Sequence, residues 1–334
     1  MPCYHPITAY DVTDKYFTNS EKRKIVFHVH PRLHMELSRA GRVIQIPCGQ
    51  CIGCRLAYSR DWANRCMLEL PYYDQSWFVT LTYDDAHVPK TWTVDKETGE
   101  VVAPAMSLRS RDLQLFLKQV RYRFPDDRIR FFGAGEYGDN SLRPHYHIII
   151  FGLHLQDLQP YKKSVLGFQY FNSDALSRCW IDGTDGSQRG YVVVGSVSWD
   201  TCAYVARYIL KKQKGATASL YSDLGIEPEF SRMSLKPGIG TQYYRDHPEI
   251  MKFDKINVCA PSGGRSFTHP HILRRMYEID DPSGAFELSE RRRLNAIDNS
   301  ILKKSLTDMD YYDIIQSDEA RKIRSLKALF REKI

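Results

Sequence analysis

The run Arg143-Pro-His-Tyr-His-Ile-Ile-Ile-Phe-Gly152 constrains the fold more than any other segment of the chain. From His145 to Phe151 it holds aromatic residues and three successive β-branched isoleucines, and a Gly closes it, so it reads as a strand. A strand needs a partner. Residues 128–134 form a second β-rich run, and residues 135–144 between the two hold Gly, Asn and Ser, as a turn does. The two runs are expected to pair as antiparallel neighbours. Side chains alternate along a strand, so His145 and His147 project from one face and Tyr146 from the other.

Other segments supply the rest of a sheet. Residues 76–83 are rich in β-formers and end at Asp84-Asp85, which predicts a strand; residues 95–99 read as a hairpin tip or surface loop. A helix capped by Ser107 or Ser110 follows, carrying Leu113, Leu115, Phe116, Leu117 and Val120 and ending near Pro125. A short helix over 173–180 is capped by Ser173 or Asp174, a strand spans 191–197, and a helix over 200–214 is capped by Asp200 or Thr201. The order is β-α-β-β-α-β-α. Its first six elements match the split βαβ, ferredoxin-like or RRM-like arrangement, an α+β fold whose antiparallel sheet carries helices on one face. The last helix is then free to cover the open face.

At 334 residues the chain is long enough for roughly two domains. Residues 1–70 show little periodicity before a helix-like run from Arg55 and are read as an accessory segment; residues 71–265 hold the sheet, and residues 266–334 form a basic, mainly helical region. A hydrophobic content of 43% excludes wholesale disorder. No run of about 18 apolar residues exists, and the start lacks the basic and apolar regions of a signal peptide, so a cytoplasmic chain off the membrane is expected. A net charge of +7 with 12% aromatic residues leans toward nucleic acid. From Arg291 to Ile334 there are 11 Lys and Arg against 7 Asp and Glu, which suits either a solvated helical arm or a grip on DNA.

Two convergent imidazoles can chelate a divalent ion. Glu136, nine residues before His145, can fold back beside His145 and His147, and two imidazoles with one carboxylate leave positions open on Mg or Mn. His28-Val-His30 and His269-Pro-His271 share the bare pattern, but Pro follows or interrupts each and neither enters an apolar strand, so they are read as coincidences. In Ala203-Tyr-Val-Ala-Arg-Tyr-Ile-Leu-Lys-Lys212, Tyr204 and Tyr208 share a helix face, with Lys211 and Lys212 after them. On pattern alone the plainer reading is an amphipathic helix with a solvated basic end. The loop Met233-Ser-Leu-Lys-Pro-Gly-Ile-Gly240, with Arg232 and Lys236, suits close approach of a DNA phosphate or simply a turn. Arg55, Arg60 and Arg65, five apart, drift around a helix and read as a solvated face.

Cys48-x-x-Cys51-x-x-Cys54 is dense enough for a metal knuckle, since reduced thiols are expected in a chain without an export signal. Zinc needs four ligands, and the set adopted is Cys48, Cys51, Cys54 and Cys3, with His5 or Cys66 as alternatives for the fourth. An iron–sulfur run would close with Cys-Pro, which is missing; plain thiols are the remaining alternative.

In chain order, Thr80-Leu-Thr82, Glu136 with His145-Tyr-His147, and Tyr204-x-x-x-Tyr208-x-x-Lys211 resemble the three motifs of the HUH endonucleases that start rolling-circle replication. The likeness spans residues 77–214, and paired tyrosines resemble the two-tyrosine branch. Gly135-Glu-Tyr-Gly138, Arg143-Pro144, the 233–240 loop and Cys48-Gly-Gln-Cys51 resemble flanks in the replication initiators of gokushovirus-type microviruses, small single-stranded DNA phages.

The resemblance implies metal-dependent nicking and rejoining of origin DNA, with Tyr204 and Tyr208 as nucleophiles and Lys211 and Lys212 as countercharge. It further implies a 5′-phosphotyrosine link, a freed 3′ hydroxyl, and a bacterial host that supplies helicase and polymerase. A phenol with a pKa of about 10 needs activation for this role. One phosphodiester replaces another, so no ATP is needed, and no phosphate-binding Gly-x-x-x-x-Gly-Lys-[Ser/Thr] loop is present. The rival readings are a transposase or plasmid initiator with the same chemistry, and a non-catalytic zinc-containing nucleic-acid-binding protein in which the tyrosines only stack bases.

Overall fold

Ile148, Ile149 and Ile150 are all 0% exposed, so the strand that carries them has both faces covered, and polar alternation has no place in it. The computed structural model describes the chain except residues 1–2, 14–23, 95–97, 102–103, 139–140, 164–166, 209–211, 213–217, 261–262 and 332–334, and except the side chains at 200, 207, 208, 260 and 327–331. In chain order it runs β1 (Ile7–Asp11), β2 (Ile25–Val26), α1 (Pro31–Arg39), β3 (Val43–Ile46), α2 (Ile52–Glu69), β4 (Ser76–Thr82), β5 (Lys90–Thr91), β6 (Ala105–Met106) and α3 (Ser110–Arg123). Next come β7 (Arg130–Tyr137), β8 (Pro144–Phe151), β9 (Gln159–Lys163), β10 (Gln169–Asn172), α4 (Asp174–Ser177), β11 (Val192–Ser196), α5 (Trp199–Tyr208) and α6 (Ser219–Asp223). The chain continues with β12 (Phe230–Met233), α7 (Thr241–Asp246), β13 (Ile256–Ala260), β14 (Gly263–Phe267), α8 (His271–Asp280), α9 (Pro282–Ser305) and α10 (Tyr311–Arg331).

The fold is α+β, and its contacts group into two units, residues 1–58 with 304–333 and residues 59–303. The division falls inside α2, whose residues belong in part to each unit. The first unit holds the antiparallel sheet β2-β1-β3 with α1 and α10, and its buried residues include Ala9, Val12 and Leu37. His5 pairs with Glu319 of α10 at 2.8 Å.

The second unit is built on a seven-stranded antiparallel sheet in the order β12-β7-β8-β4-β11-β10-β9. Alternation divides it cleanly. Val79, Leu81, Tyr146, Ile148, Ile150, Val192 and Val194 face a core shared with Leu113, Phe116, Leu117 and Val120 of α3 and with Leu176, beside Trp180. Phe78, Phe132, Ala134, Ile149 and Phe151 face Trp62, Ala63, Cys66 and Met67 of α2 and Cys202, Val205 and Ala206 of α5. The last helix of the expected pattern does cover the second face, and it shares that face with α2. A third core gathers Leu68, Tyr244, Met251, Ile256, Leu273 and Leu288 beneath the C-terminal helices of this unit. Among the described residues no helix is long and apolar enough to cross a membrane.

Local expectations differ at the caps and one turn. The first turn of α3 has no side-chain cap of its own; the Glu227 carboxylate, remote in sequence, accepts from Ser110 N at 2.9 Å, while Ser107 donates to the Leu108 carbonyl. Ser198 precedes α5 and accepts from Thr201 N at 3.2 Å, and Thr201 Oγ1, one of the two expected caps, accepts from Ser198 N at 2.7 Å, which makes the cap reciprocal; the Asp200 side chain lies outside the described residues. Ser173 caps α4 as expected, accepting from Leu176 N. The turn expected over 135–144 is shorter, because β7 continues through Gly135 to Tyr137. A Cβ on Gly135 would lie 3.0 Å from the side chains of Leu108 and Phe230, so this glycine serves close packing inside a strand.

Candidate metal centre and active site

Register places the polar residues of the second face in two adjacent rows. Glu136 of β7 opposes His145 of β8, which opposes Thr82 of β4; one row deeper, Ala134, His147 and Thr80 stand across from one another. One carboxylate oxygen, Glu136 Oε1, lies 2.8 Å from His145 Nε2 and 3.1 Å from His147 Nε2. The other ring nitrogens are held from behind. Nδ1 of His145 is 2.9 Å from the Arg143 carbonyl, and Nδ1 of His147 is 3.1 Å from the Thr80 hydroxyl. A carbonyl only accepts, so Nδ1 of His145 donates to it, and Nε2 is the ring nitrogen that faces Glu136.

Glu136 is only 2% exposed. Burial opposes its ionisation, but the hydrogen bonds and charges of His145 and His147 outweigh that and bring its pKa down to about 2. One imidazole nitrogen from each histidine and one carboxylate oxygen, all within 4.8 Å of one another, form a donor set suited to a divalent cation. Arg143 secures the mouth of the site, with Nη1 2.7 Å from Asp85 and Nη2 donating to the Tyr83 carbonyl at 2.9 Å.

Helix α5 lies over the same face. The Tyr204 ring stands edge-on to His147, with centroids 5.5 Å apart, and edge-on to Phe78 at 5.9 Å; Phe78 stacks parallel to His147 at 5.7 Å. Tyr208 lies one turn later in α5, but its side chain lies outside the described residues, as does all of Lys211; Lys212 is half-buried.

Two other expected residues sit apart. Arg232 opposes Gly133 and stands over the Phe230 ring at 5.3 Å, on the α3 side of the sheet. Lys236 belongs to the loop whose Pro237 carbonyl accepts from Arg130 at 2.7 Å, at the end of β7 away from Glu136, about 20 Å along the strand.

Sequence reasoning missed Tyr191. Its carbonyl accepts from Thr82 N at 3.0 Å, extending the Glu136–His145–Thr82 row. Val192 turns into the α3-side core, so alternation puts Tyr191 on the face of the histidines, 71% exposed. Nothing in its local sequence marks it, since exposure depends on which residues come to cover the sheet edge.

In the first unit, Cys3, Cys48, Cys51 and Cys54 bring their sulfurs within 4.8 Å of one another. His5 is engaged with Glu319, and Cys66 is buried against Cys202 between α2 and α5, so neither alternative joins the cluster. Burial raises the Cys51 thiol, but the N–H groups of Cys54 and Tyr4 and the thiols of Cys54 and Cys48 bring it down to about 6. Burial pushes Cys54 up to about 12.

Residues 76–213 match the family described as Replication-associated protein ORF2/G2P. The chain is similar to the Replication-associated protein ORF2 of Spiroplasma virus 4, 29% identical over 84% of this chain and 83% of that protein. It is similar to the Replication-associated protein VP4 of Bdellovibrio phage phiMH2K, 26% identical over 89% of this chain and 83% of that protein. Replication-associated protein ORF4 of Chlamydia phage 1 is 30% identical over 79% of this chain and 63% of that protein. No solved structure matches.

Proposed function

We infer that this chain, similar over most of its length to replication-associated proteins of small phages, starts rolling-circle replication by nicking and rejoining one DNA strand in the cytoplasm of a bacterial host. The carrying observation is the phenol-bearing helix laid over a single carboxylate oxygen flanked by two imidazole Nε2 atoms. The strands β7-β8-β4-β11, second, third, first and fourth of the core in chain order, support the ferredoxin-like reading.

His145, His147 and Glu136 would hold one Mg2+ or Mn2+, which when bound supplies positive charge for the non-bridging oxygens of the scissile phosphate. Thr80 and the Arg143 carbonyl orient the two imidazoles for that task. The Tyr204 phenol loses its proton and its oxygen attacks phosphorus; as the new Tyr–phosphate bond forms, the bond to the DNA 3′ oxygen breaks and that oxygen gains a proton. The backbone between Tyr204 and Tyr208 is helical, so the second phenol follows one turn on and can cut the regenerated origin while the first is occupied. Attack of the new 3′ hydroxyl on the first link then closes the circle.

Lys211 and Lys212 would provide countercharge at the phosphate. Tyr191, exposed in the row of His145, offers a ring on which a base beside the cut can stack. Arg232 and Lys236 would meet DNA only beyond the reacting phosphate, and host helicase and polymerase would supply unwinding and synthesis.

The test is a denaturing gel of the protein with labelled single-stranded origin DNA and Mn2+. A protein–DNA adduct should form, persist in Tyr204→Phe or Tyr208→Phe, and vanish in the double variant and in His145→Ala. Tight binding without any adduct would leave only a binding module.

A further inference from the structure

We propose that Cys3, Cys48, Cys51 and Cys54 bind one zinc ion as a closed tetrathiolate site that clamps the segment before β1 to the start of α2. The inference is independent of the nicking chemistry. Four zinc–sulfur bonds of about 2.3 Å in a tetrahedron set sulfur–sulfur edges of about 3.8 Å. Cys3 Sγ stands 3.6 Å from Cys48 Sγ and 3.9 Å from Cys51 Sγ. A disulfide would bring two sulfurs to roughly 2.05 Å. An iron–sulfur cubane would force all four well apart, because its own iron and sulfide atoms lie between the thiolates.

The backbone is arranged for anionic sulfur. Cys48 N approaches Cys3 Sγ at 3.3 Å, Tyr4 N approaches Cys51 Sγ at 3.4 Å, and Gln50 N and Cys51 N converge on Cys48 Sγ at 3.4 and 3.3 Å. Cys54 N points at Cys51 Sγ at 3.5 Å. The turn that aims these groups needs a left-handed residue, and Gly49 supplies it at φ +70°. All four positions are thiols of this chain, so none is left for water or substrate, as in structural and unlike catalytic zinc sites.

Donor softness separates this site from the Glu136–His145–His147 set: thiolates select zinc, and a carboxylate with imidazoles suits Mg or Mn. Cys3 lies 45 residues from Cys48, so the ion would hold together a unit whose buried core is small.

The experiment is elemental analysis of the purified full chain, with zinc released by a thiol-directed mercurial and read by a metal-sensitive dye. One zinc per chain is expected, lost in Cys3→Ser and in Cys54→Ser and retained in Cys259→Ser, an exposed cysteine outside the cluster. Should the cluster variants fail to fold, Co2+ exchanged into the intact protein should give the intense visible and sulfur-to-cobalt bands of a tetrahedral tetrathiolate. Four of the eight thiols should then resist alkylation until the metal is removed. Absence of zinc, iron in its place, a six-coordinate cobalt spectrum, or zinc retained by both cluster variants would overturn the proposal.

Discussion

Thr80→Val probes how the sheet prepares the metal centre, because it exchanges a hydroxyl for a methyl of nearly equal size in a β-strand that favours both residues. The Thr80 hydroxyl lies 3.1 Å from His147 Nδ1, and its backbone is in register with His147 itself. Losing one such hydrogen bond costs about 1 kcal/mol of stability, so the fold should survive with a small shift in unfolding midpoint. The effect on metal should be larger. Partners that fix a ligating imidazole are worth roughly 10- to 100-fold in affinity, or about 1.4 to 2.8 kcal/mol. Calorimetric titration of metal-free protein with Mn2+ should therefore show weaker binding by that factor in Thr80→Val and recovery in Thr80→Ser. Unchanged Mn2+ affinity in the valine variant, with its fold intact, would refute the argument that Thr80 orients His147.

Other outcomes follow from packing, charge and exposure. Ile149→Ala empties a fully buried position between the sheet and α2 and α5 and should lower stability by about 2 to 5 kcal/mol in denaturant titration; a loss under 1 kcal/mol would mean that the α2 and α5 face is loosely packed. Glu136 has its pKa lowered from 4.5 to about 2, so its contribution to stability is present above pH 4.5 and is lost as pH falls through about 2. Metal-free Glu136→Gln should accordingly lose less stability over that window than the parent chain, and parallel urea profiles would contradict this. Tyr191→Ala should weaken single-stranded DNA binding by about 1 to 3 kcal/mol in fluorescence anisotropy while Tyr191→Phe retains it; equal affinities in all three proteins would remove the stacking role.

What the sequence discloses of this molecule is what depends on near neighbours. The isoleucine run, its flanking Pro144 and Gly152, and the alternation of His145 with Tyr146 define β8, and the paired histidines mark the site because strand geometry alone puts them on one face. Glu136 is legible as a partner but its strand is not, since Gly135 reads as a turn until Leu108 and Phe230 are seen crowding it. The hairpin of β9 and β10 escapes because every residue of β9 is exposed, so no apolar alternation announces it. The cap of α3 comes from Glu227, more than a hundred residues away, and the second helix over the site's face, α2, comes from ahead of the sheet. Cys3 is already in the set read from the sequence, but its preference over His5 and Cys66 rests on the pairing of β1 with β3, which draws the start of the chain to Cys48.

The central claim is that a phenol on α5 becomes covalently joined to DNA over the His145–His147–Glu136 centre. Mass spectrometry of the protein after reaction with origin DNA, nuclease trimming and proteolysis tests it most directly. The account predicts a nucleotide linked through its 5′ phosphate to Tyr204 or Tyr208, formed only with divalent metal; a link to any other residue, or none in a preparation that cleaves the strand, would contradict it.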